Sequence, residues 1–238
     1  MQTVYNKLIK GINTYFKENS FKKAVIGLSG GIDSSLSAIL TAKAIGNKNI
    51  YCILMPEKGL TSKASVEDAK NLCRLAKLKY TIIPINRFIQ HYKELNWRQN
   101  STANINTKSR IRANILYNYA NTHNALVIGT SNKTEIMLGY FTKYGDGACD
   151  LEVIGYLYKT EVIKLAKFLK LPKNIIEKPP TAELFHGQTD EKELGATYKE
   201  IDSILKSKRI KGPLANKISK RIKSNEHKRK SIPIIKAK

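Results

Sequence analysis

Acidic residues are scarce in this sequence of 238 residues, but their scarcity excludes few functions. The chain has 19 Asp and Glu residues against 42 Lys and Arg, which leaves a formal charge of +23. An excess of this size is compatible with a nucleic-acid partner or with an anionic substrate. Because the lysines are spread along the chain beside many Asn and Ile, it is also typical of a solvated surface in a compositionally biased genome. Charge alone therefore assigns no function.

Cysteine and long apolar runs are also scarce. The three cysteines, Cys52, Cys73 and Cys149, form neither a C-x-x-C pair nor an even set, which favours a reducing cytoplasm over a disulfide framework. No apolar run approaches the roughly 20 residues that span a bilayer. Residues 1–19 are too polar for a signal peptide and instead show one apolar helical face. We therefore expect a cytoplasmic protein without a membrane partner.

Two common phosphate-binding motifs are missing. The sequence contains no G-x-x-x-x-G-K-[ST], and no G-x-G-x-x-G follows the first predicted strand. Residues 29–35 read S-G-G-I-D-S-S instead, between an apolar run at 24–28 and a helical stretch that begins at 36. This order aims free backbone N–H groups at whatever lies above the loop, and Gly30 and Gly31 let an anion approach closely. The pattern predicts a pyrophosphate-binding loop.

The polar side chains of this loop add to that prediction. The hydroxyls of Ser29, Ser34 and Ser35 can donate hydrogen bonds, and Asp33 can hold a Mg²⁺ ion that neutralises phosphate charge. A plain glycine-serine turn is the alternative interpretation. The stretch resembles the SGGxDS loop of the ATP-pyrophosphatase (PP-loop) superfamily, whose members cleave ATP between the α and β phosphates.

Apolar runs separated by helical stretches predict an α/β fold, with a Rossmann-like parallel sheet and helices on both faces. We expect one domain over residues 1–238, with an N-terminal helix (1–20), a nucleotide-binding core (21–171) and a C-terminal loop, helix and basic tail (172–238). Loops are predicted at 98–107, 131–150 and 174–188, and part of 207–238 is expected to be disordered. The predicted strands cover 22–28, 49–56, 80–85 and 125–130, and the predicted helices cover 33–46, 62–79, 86–96, 108–121, 158–171 and 191–206.

A second carboxylate is predicted beside Asp33. In a parallel sheet, ligands bind beyond the carboxyl ends of the strands, and the first and fourth strands end at Ser29 and Thr130. If those ends are neighbours, Thr130 and Glu135 lie close to the phosphate loop, and two carboxylates with phosphate oxygens form a suitable Mg²⁺ site. The alternative for Glu135 is a solvated glutamate at the start of a helix.

Further motifs, in order along the chain, resemble the NAD synthetase family over roughly residues 20–230. The resemblance implies an adenine nucleotide alpha-hydrolase-like fold with a helical C-terminal extension. It also implies a reaction in which the carboxylate of deamido-NAD attacks the α-phosphate of ATP, pyrophosphate leaves, and ammonia displaces AMP. The motifs lie at residues 106–112, 129–135, 139–146, 157–162, 180–184, 188–191 and 227–229.

The resemblance also implies roles for individual residues, a homodimer and a nitrogen source. The chain has no room for an amidase domain, so free ammonia, or ammonia from a separate protein, is implied. The alternative to a binding role for Lys159 is a surface position. The alternative for His227 and Lys228 is a solvated basic tail. The implied ATP contacts are Gly27, Leu28, Ser29, Gly30, Gly31, Ile32, Asp33, Ser34, Thr130, Lys159 and Thr181; the deamido-NAD contacts are Arg110, Lys143, Asp150, His227 and Lys228; the Mg²⁺ ligands are Asp33 and Glu135.

Two departures and one mobile segment are notable. Glu183 occupies a position where the family pattern has Asp. Residues 151–155, which include Ile154, lack the proline that the family usually has after the residue matching Asp150. Residues 179–188 contain two prolines and a glycine, and we expect this segment to close over bound substrates.

Three other functions share some of these features. A tRNA-modifying PP-loop enzyme shares the loop and suits the charge, but the C-x-x-C pairs or added RNA-binding domain of such enzymes are not found. GMP synthetase differs in its downstream motifs. A non-catalytic, basic nucleic-acid-binding protein would leave the phosphate loop and both carboxylates unexplained.

Overall fold

The computed structural model describes residues 1–181, 183, 185, 187–207 and 211–237. Within that part of the chain, five parallel strands form one sheet in the order β3-β2-β1-β4-β5. The predicted α/β fold is confirmed, and β1 and β4 are neighbours as the site prediction required. The strands are β1 (Lys23–Gly27), β2 (Ile50–Leu54), β3 (Lys79–Ile82), β4 (Ala125–Gly129) and β5 (Leu151–Glu152).

Helices cover both faces of this sheet, as predicted. None of the described helices is long and apolar enough to cross a membrane. They are α1 (Gln2–Glu18), α2 (Ile32–Ile45), α3 (Lys63–Leu75), α4 (Asn86–Tyr92), α5 (Ser101–His123), α6 (Lys133–Leu138), α7 (Lys159–Phe168), α8 (Lys173–Ile176), α9 (Asp190–Leu194), α10 (Tyr198–Lys206), α11 (Pro213–Ser224) and α12 (Glu226–Arg229).

The core follows from the alternation of side chains along the buried strands. On β1, Ala24 and Ile26 point to one face of the sheet and pack with α1, α2, α3 and α7, whereas Val25 points to the other face and packs with α5. Continuous apolar sequence in a strand is what a parallel sheet covered on both faces requires. This sandwich leaves the carboxyl ends of β1 and β4 open for a ligand.

Two of the predicted loops are wrong because side-chain caps start helices where apolar periodicity is weak. Residues 98–107 contain the first turns of α5, whose N-cap Asn100 accepts a hydrogen bond from the backbone N of Ala103. Residues 131–150 contain α6, where Asn132 and Glu135 form a capping box. The loop predicted at 174–188 likewise begins with the short helix α8, and β5 was not predicted.

The C-terminal region differs most from its prediction. The helix expected over 191–206 is divided into α9 and α10, because Gly195 adopts a left-handed conformation (φ 74°) that ends α9. Within 207–238, where disorder is expected in part, most of residues 213–229 form the helices α11 and α12. Ile218 of α11 packs in a third apolar cluster with Leu138 and Ile201, which fixes these helices to the rest of the domain. Residues 208–210 and 238 lie outside the described residues.

Candidate active site

The phosphate loop, residues 27–34, begins at the last residue of β1 and is ordered by its own side chains. The hydroxyls of Ser29 and Ser34 share a hydrogen bond of 3.0 Å, and the backbone N of Gly31 donates to Ser29 Oγ. Gly30 has φ +83°, and a Cβ at this position would overlap the carbonyl oxygen of Ser65. Among the described residues, no side chain caps the first turn of α2. Its first N–H groups therefore have no side-chain cap, which is the arrangement that the predicted pyrophosphate-binding loop requires.

Two carboxylates and one ammonium group meet beside this loop. Lys159 Nζ donates a hydrogen bond to Asp33 Oδ2 and lies 3.7 Å from Glu135 Oε1. Asn132 joins the two acids, since its Nδ2 donates to Asp33 Oδ1 at 2.9 Å and its backbone N donates to Glu135 Oε2 at 3.1 Å. The side chain of Lys159 is 2% exposed, so the surface position considered for this lysine is excluded.

Burial controls the charges of this cluster. Loss of solvent, with the adjacent Asp33 acting in the same direction, raises the pKa of Glu135 to about 8, although Lys159 opposes the shift. For Lys159, burial opposes the charged form, but Asp33 and Glu135 more than compensate and hold its pKa above the usual range. The cluster therefore keeps one ammonium group charged between two acids at neutral pH.

The N-terminal turns of α6 and α7 are tied together by a residue from α10. Asp202, which is 2% exposed, accepts hydrogen bonds from Thr134 Oγ1 at 2.5 Å and from the backbone N of Thr160 at 2.8 Å. Thr134 Oγ1 in turn accepts from the backbone N of Lys159 at 3.0 Å. Thr134 and Thr160 adjoin Glu135 and Lys159 in sequence, so Asp202 positions these two members of the charged cluster. The sequence carries no local signal for this role.

A second contact from the C-terminal helices lies against the same lysine. The ring of Tyr198 is centred 5.0 Å from Lys159 Nζ, and its hydroxyl donates to Asp190 Oδ2 at 3.0 Å. Burial raises the pKa values of both Tyr198 and Asp190. The aromatic ring and the acid complete the enclosure of the ammonium group.

A cavity of about 520 Å³ opens next to the phosphate loop. Its wall is formed by the ends of β1, β2 and β4, by α5, and by residues that follow α6. Arg112 of α5 is one lining residue that sequence reasoning missed; its Nε donates to the carbonyl of Met55 at 3.0 Å, and burial lowers its pKa. The predicted site residues that line the cavity are Gly27, Leu28, Ser29, Ser34, Thr130 and Lys228.

Four of the predicted dinucleotide contacts are connected to one another. Lys228 Nζ donates to the carbonyls of Gly139 (2.8 Å) and Phe141 (2.9 Å), and burial lowers its pKa. Lys143 Nζ donates to the carbonyl of His227 at 3.0 Å, and Arg110 Nη2 donates to the carbonyl of Lys143 at 3.3 Å. Lys228 is thus held in a folded helix rather than in a solvated tail.

Asp150, the fifth predicted dinucleotide contact, has structural partners. Its Oδ2 accepts from the backbone N of Val127 at 2.7 Å, and its Oδ1 accepts from Tyr117 Oη at 3.3 Å. Among the described residues, those that line the cavity do not include Asp150. In this structure it joins β4 to the segment that leads into β5.

The lid segment, residues 179–188, is attached to the first turn of α3; its residues 182, 184 and 186 lie outside the described part. Glu183 Oε1 accepts from Ser65 Oγ at 2.8 Å, and its Oε2 accepts from the backbone N of Ser62 at 3.3 Å. Thr181 Oγ1 accepts from the backbone N of Glu183 at 3.1 Å. A carboxylate near the N-terminus of a helix is favourable, so Glu183 stabilises the attachment of this segment to α3.

Comparison with known proteins decides the family. A sequence model described as NAD synthase matches residues 4–232. The chain belongs to the NAD synthase family. Among curated relatives of this family, the NH(3)-dependent NAD(+) synthetase of Archaeoglobus fulgidus is 44% identical, with 88% of this chain and 87% of that protein covered. The enzyme of the same name from Methanocaldococcus jannaschii is also 44% identical, with coverages of 96% and 95%.

Solved structures of similar proteins agree with the fold. NMN synthetase from Francisella tularensis superimposes with a TM-score of 0.93 at 34% identity, covering 98% of each chain. NH3-dependent NAD synthetase from Campylobacter jejuni, in complex with nitrate, gives a TM-score of 0.82 at 36% identity, covering 99% of this chain and 98% of that one. The resemblance stated from the motifs is thereby confirmed.

Proposed function

We propose that this protein converts deamido-NAD (nicotinate adenine dinucleotide) to NAD with ATP and ammonia. The observation that carries the proposal is the junction of the phosphate loop with the cluster of Asp33, Glu135 and Lys159, beside a cavity of about 520 Å³. A loop of free amides suits pyrophosphate, and a cavity of this size suits a nucleotide.

The residues support a reaction in two steps. A nicotinate carboxylate oxygen attacks the α-phosphorus of ATP, and the bond to the bridging oxygen breaks, so that pyrophosphate carries away the electron pair. Ammonia then attacks the acyl carbon, AMP leaves, and the nitrogen loses a proton. The amides after Gly31 and the ammonium of Lys159 stabilise the charge that develops on pyrophosphate, because they are fixed before the reaction begins.

Asp33 and Glu135 also fit the proposed Mg²⁺. Their oxygens are hard ligands of the kind that Mg²⁺ prefers, and the described residues contain no cluster of three or more metal-binding side chains, so phosphate and water oxygens would supply the rest. When bound, Mg²⁺ supplies positive charge that offsets the departing pyrophosphate. Lys159 Nζ also donates to Asp33, so the same acid would balance the ammonium group and hold the metal.

Formation of NMN from nicotinate mononucleotide is a second candidate, favoured by the TM-score of 0.93 to the Francisella enzyme. Purified protein should be given ATP, Mg²⁺ and ammonium with either deamido-NAD or nicotinate mononucleotide, and AMP release measured. We expect a higher kcat/KM with deamido-NAD. A higher value with the mononucleotide would replace the first candidate by the second, and AMP release that depends on RNA would refute both.

The nitrogen source is tested in the same assay. We propose that ammonia is used directly, so ammonium should support turnover and glutamine should support little or none. Efficient use of glutamine by the pure chain would contradict this. We further propose a homodimer that acts in the cytoplasm without nucleic acid, an arrangement compatible with the free thiols of Cys52, Cys73 and Cys149.

A further inference from the structure

Arg221 of α11 has an unused hydrogen-bond donor on the cavity wall. It lines the end of the cavity that the C-terminal helices close, together with Tyr140, Asn225 and Lys228. Its Nε is buried and has no hydrogen-bond partner among the described residues. None of the ion pairs found in the described part of the chain includes it. A buried donor left unpaired is unfavourable, so its retention indicates an acceptor that arrives with a ligand.

The orientation of the guanidinium is fixed by an aromatic ring. The guanidinium carbon of Arg221 lies 5.2 Å from the centre of the Tyr140 ring. Tyr140 is itself held, because its hydroxyl donates to Glu193 Oε2 at 2.8 Å. A guanidinium stacked on a ring keeps its N–H edge free for oxygen acceptors, and its planar geometry matches phosphate.

The other charges at this end of the cavity already have partners. Lys228 Nζ donates to two carbonyls. Asp146 Oδ1 accepts from Ser109 Oγ and from the backbone N of Thr142, and Glu193 accepts from Tyr140. Arg221 is therefore the charged group of this wall that has a buried donor, its Nε, for which the described residues supply no acceptor.

We propose that Arg221 binds a phosphate group of the nicotinate nucleotide substrate. The proposal rests on the function proposed above, because that function supplies a nucleotide other than ATP to this end of the cavity. It makes Arg221 a further substrate-binding residue, distinct in role from Lys228, which holds the segment of Gly139 and Phe141.

The test compares Arg221→Gln and Arg221→Lys with Lys223→Gln, which removes the same charge from an exposed position on the same helix. Binding of deamido-NAD without ATP is measured by calorimetry, and the KM values for deamido-NAD and ATP are measured in turnover. We expect Arg221→Gln to weaken deamido-NAD binding about tenfold or more, the scale of a lost charge-assisted hydrogen bond. Arg221→Lys should lose less affinity for deamido-NAD, because lysine retains the charge but not the planar set of N–H donors.

The KM for ATP should stay within about twofold in every variant, on the argument that Arg221 contacts only the nicotinate nucleotide. Equal deamido-NAD affinity in Arg221→Gln and Lys223→Gln, with unchanged thermal unfolding, would overturn the proposal. An equal rise in both KM values would also overturn it. If Arg221→Gln does not fold, Arg221→Lys decides, since it must still weaken the dinucleotide more than Lys223→Gln does.

Failure of this inference is distinguishable from failure of the proposed function. If the wild type amidates neither nicotinate nucleotide, the function is wrong whatever Arg221 does. If the wild type is active and Arg221 variants bind normally, only the inference fails. Repeating the calorimetry with nicotinate mononucleotide identifies the phosphate that Arg221 binds. If Arg221→Gln binds both nucleotides more weakly, the phosphate is the one on the nicotinate side. If it binds only the dinucleotide more weakly, the phosphate is the one on the adenylate side.

Discussion

The phosphate loop and the C-terminal wall, residues 190–207 and 211–229, enclose the same site but are specified in different ways. The loop is made of consecutive residues whose hydroxyls bond one another, as Ser29 and Ser34 do. The wall contributes Tyr198 and Asp202 from α10 and Arg221 from α11, which reach the site only because the third apolar cluster packs α10 and α11 against α6. Local residues build the backbone of the predicted anion-binding loop, and distant residues set the charges beside it.

The largest effect is expected where the loop touches a neighbouring helix. Gly30→Ala should remove most activity and destabilise the fold, because a Cβ there overlaps the carbonyl of Ser65 and φ is +83°. The positive φ alone costs about 1–2 kcal/mol. Gly59→Ala is the matched control, with φ +92° and nothing near its Cβ position. Chemical denaturation and the KM for ATP are the measurements; equal losses in both variants would show that the close contact is unimportant.

The next effect concerns the acid at the start of α2. Asp33→Asn should fold normally but lose activity by about 100-fold or more, since charge compensation by a metal is worth several kcal/mol. It also removes the partner of Lys159. Activity is measured across a Mg²⁺ titration, with Glu67→Gln, an exposed acid, as control. Near-normal turnover at limiting Mg²⁺ would argue against Asp33 as a ligand.

A substitution in the C-terminal wall should lower activity by displacing Glu135 and Lys159 rather than by removing a contact with substrate. Asp202→Asn should lower kcat about tenfold while the KM for deamido-NAD changes little, because one buried charged acceptor is worth about 1.5–3 kcal/mol. Ser203→Ala, on the exposed side of the same helix, serves as control. Asp202→Glu should not rescue activity if the carboxylate has to meet Thr134 and Thr160 at their present distances. A loss of stability without a change in kcat would reduce Asp202 to a structural role.

A half-buried acid on the edge strand β5, Glu152, gives a pH dependence. Glu152 accepts from the backbone N of Ser131 at 3.0 Å, and burial raises its pKa from 4.5 to about 7. The folded state therefore binds this proton more tightly than the unfolded chain does, so stability falls as pH rises from 4.5 through 7. Glu152→Gln should be more stable than wild type by about 1–3 kcal/mol at pH 8. The difference should vanish below about pH 4.5 in urea denaturation; a constant difference would contradict the shift.

The smallest effect is expected at the lid segment. Glu183→Gln should loosen its attachment to Ser62 and Ser65 by about 0.5–1.5 kcal/mol, since neutral hydrogen bonds replace charged ones. Limited proteolysis within 179–188 should be a few times faster in this variant. ATP together with deamido-NAD should slow cleavage in both proteins. Cleavage that is unaffected by substrates would leave the predicted closure unsupported.

Several features were predictable because their causes are local or follow from a general rule of sheet architecture. The buried strands follow from continuous apolar sequence, and the phosphate loop follows from glycines that accept unusual backbone angles, as Gly30 does. The adjacency of Asp33 and Glu135 followed from the rule that strand ends share one edge. Errors arose where a single side chain decides, as when Asn100 starts α5 within a predicted loop.

By itself, then, the sequence determined the α/β sheet, the phosphate loop and the family. Tertiary structure decided that Lys159 is a buried cation between two acids, that Asp202 positions it, and that Arg221 keeps a free donor. The physical reason is the range of the forces involved. Backbone conformation and N–H direction depend on neighbours in sequence, whereas desolvation and charge pairing depend on groups that only packing brings together.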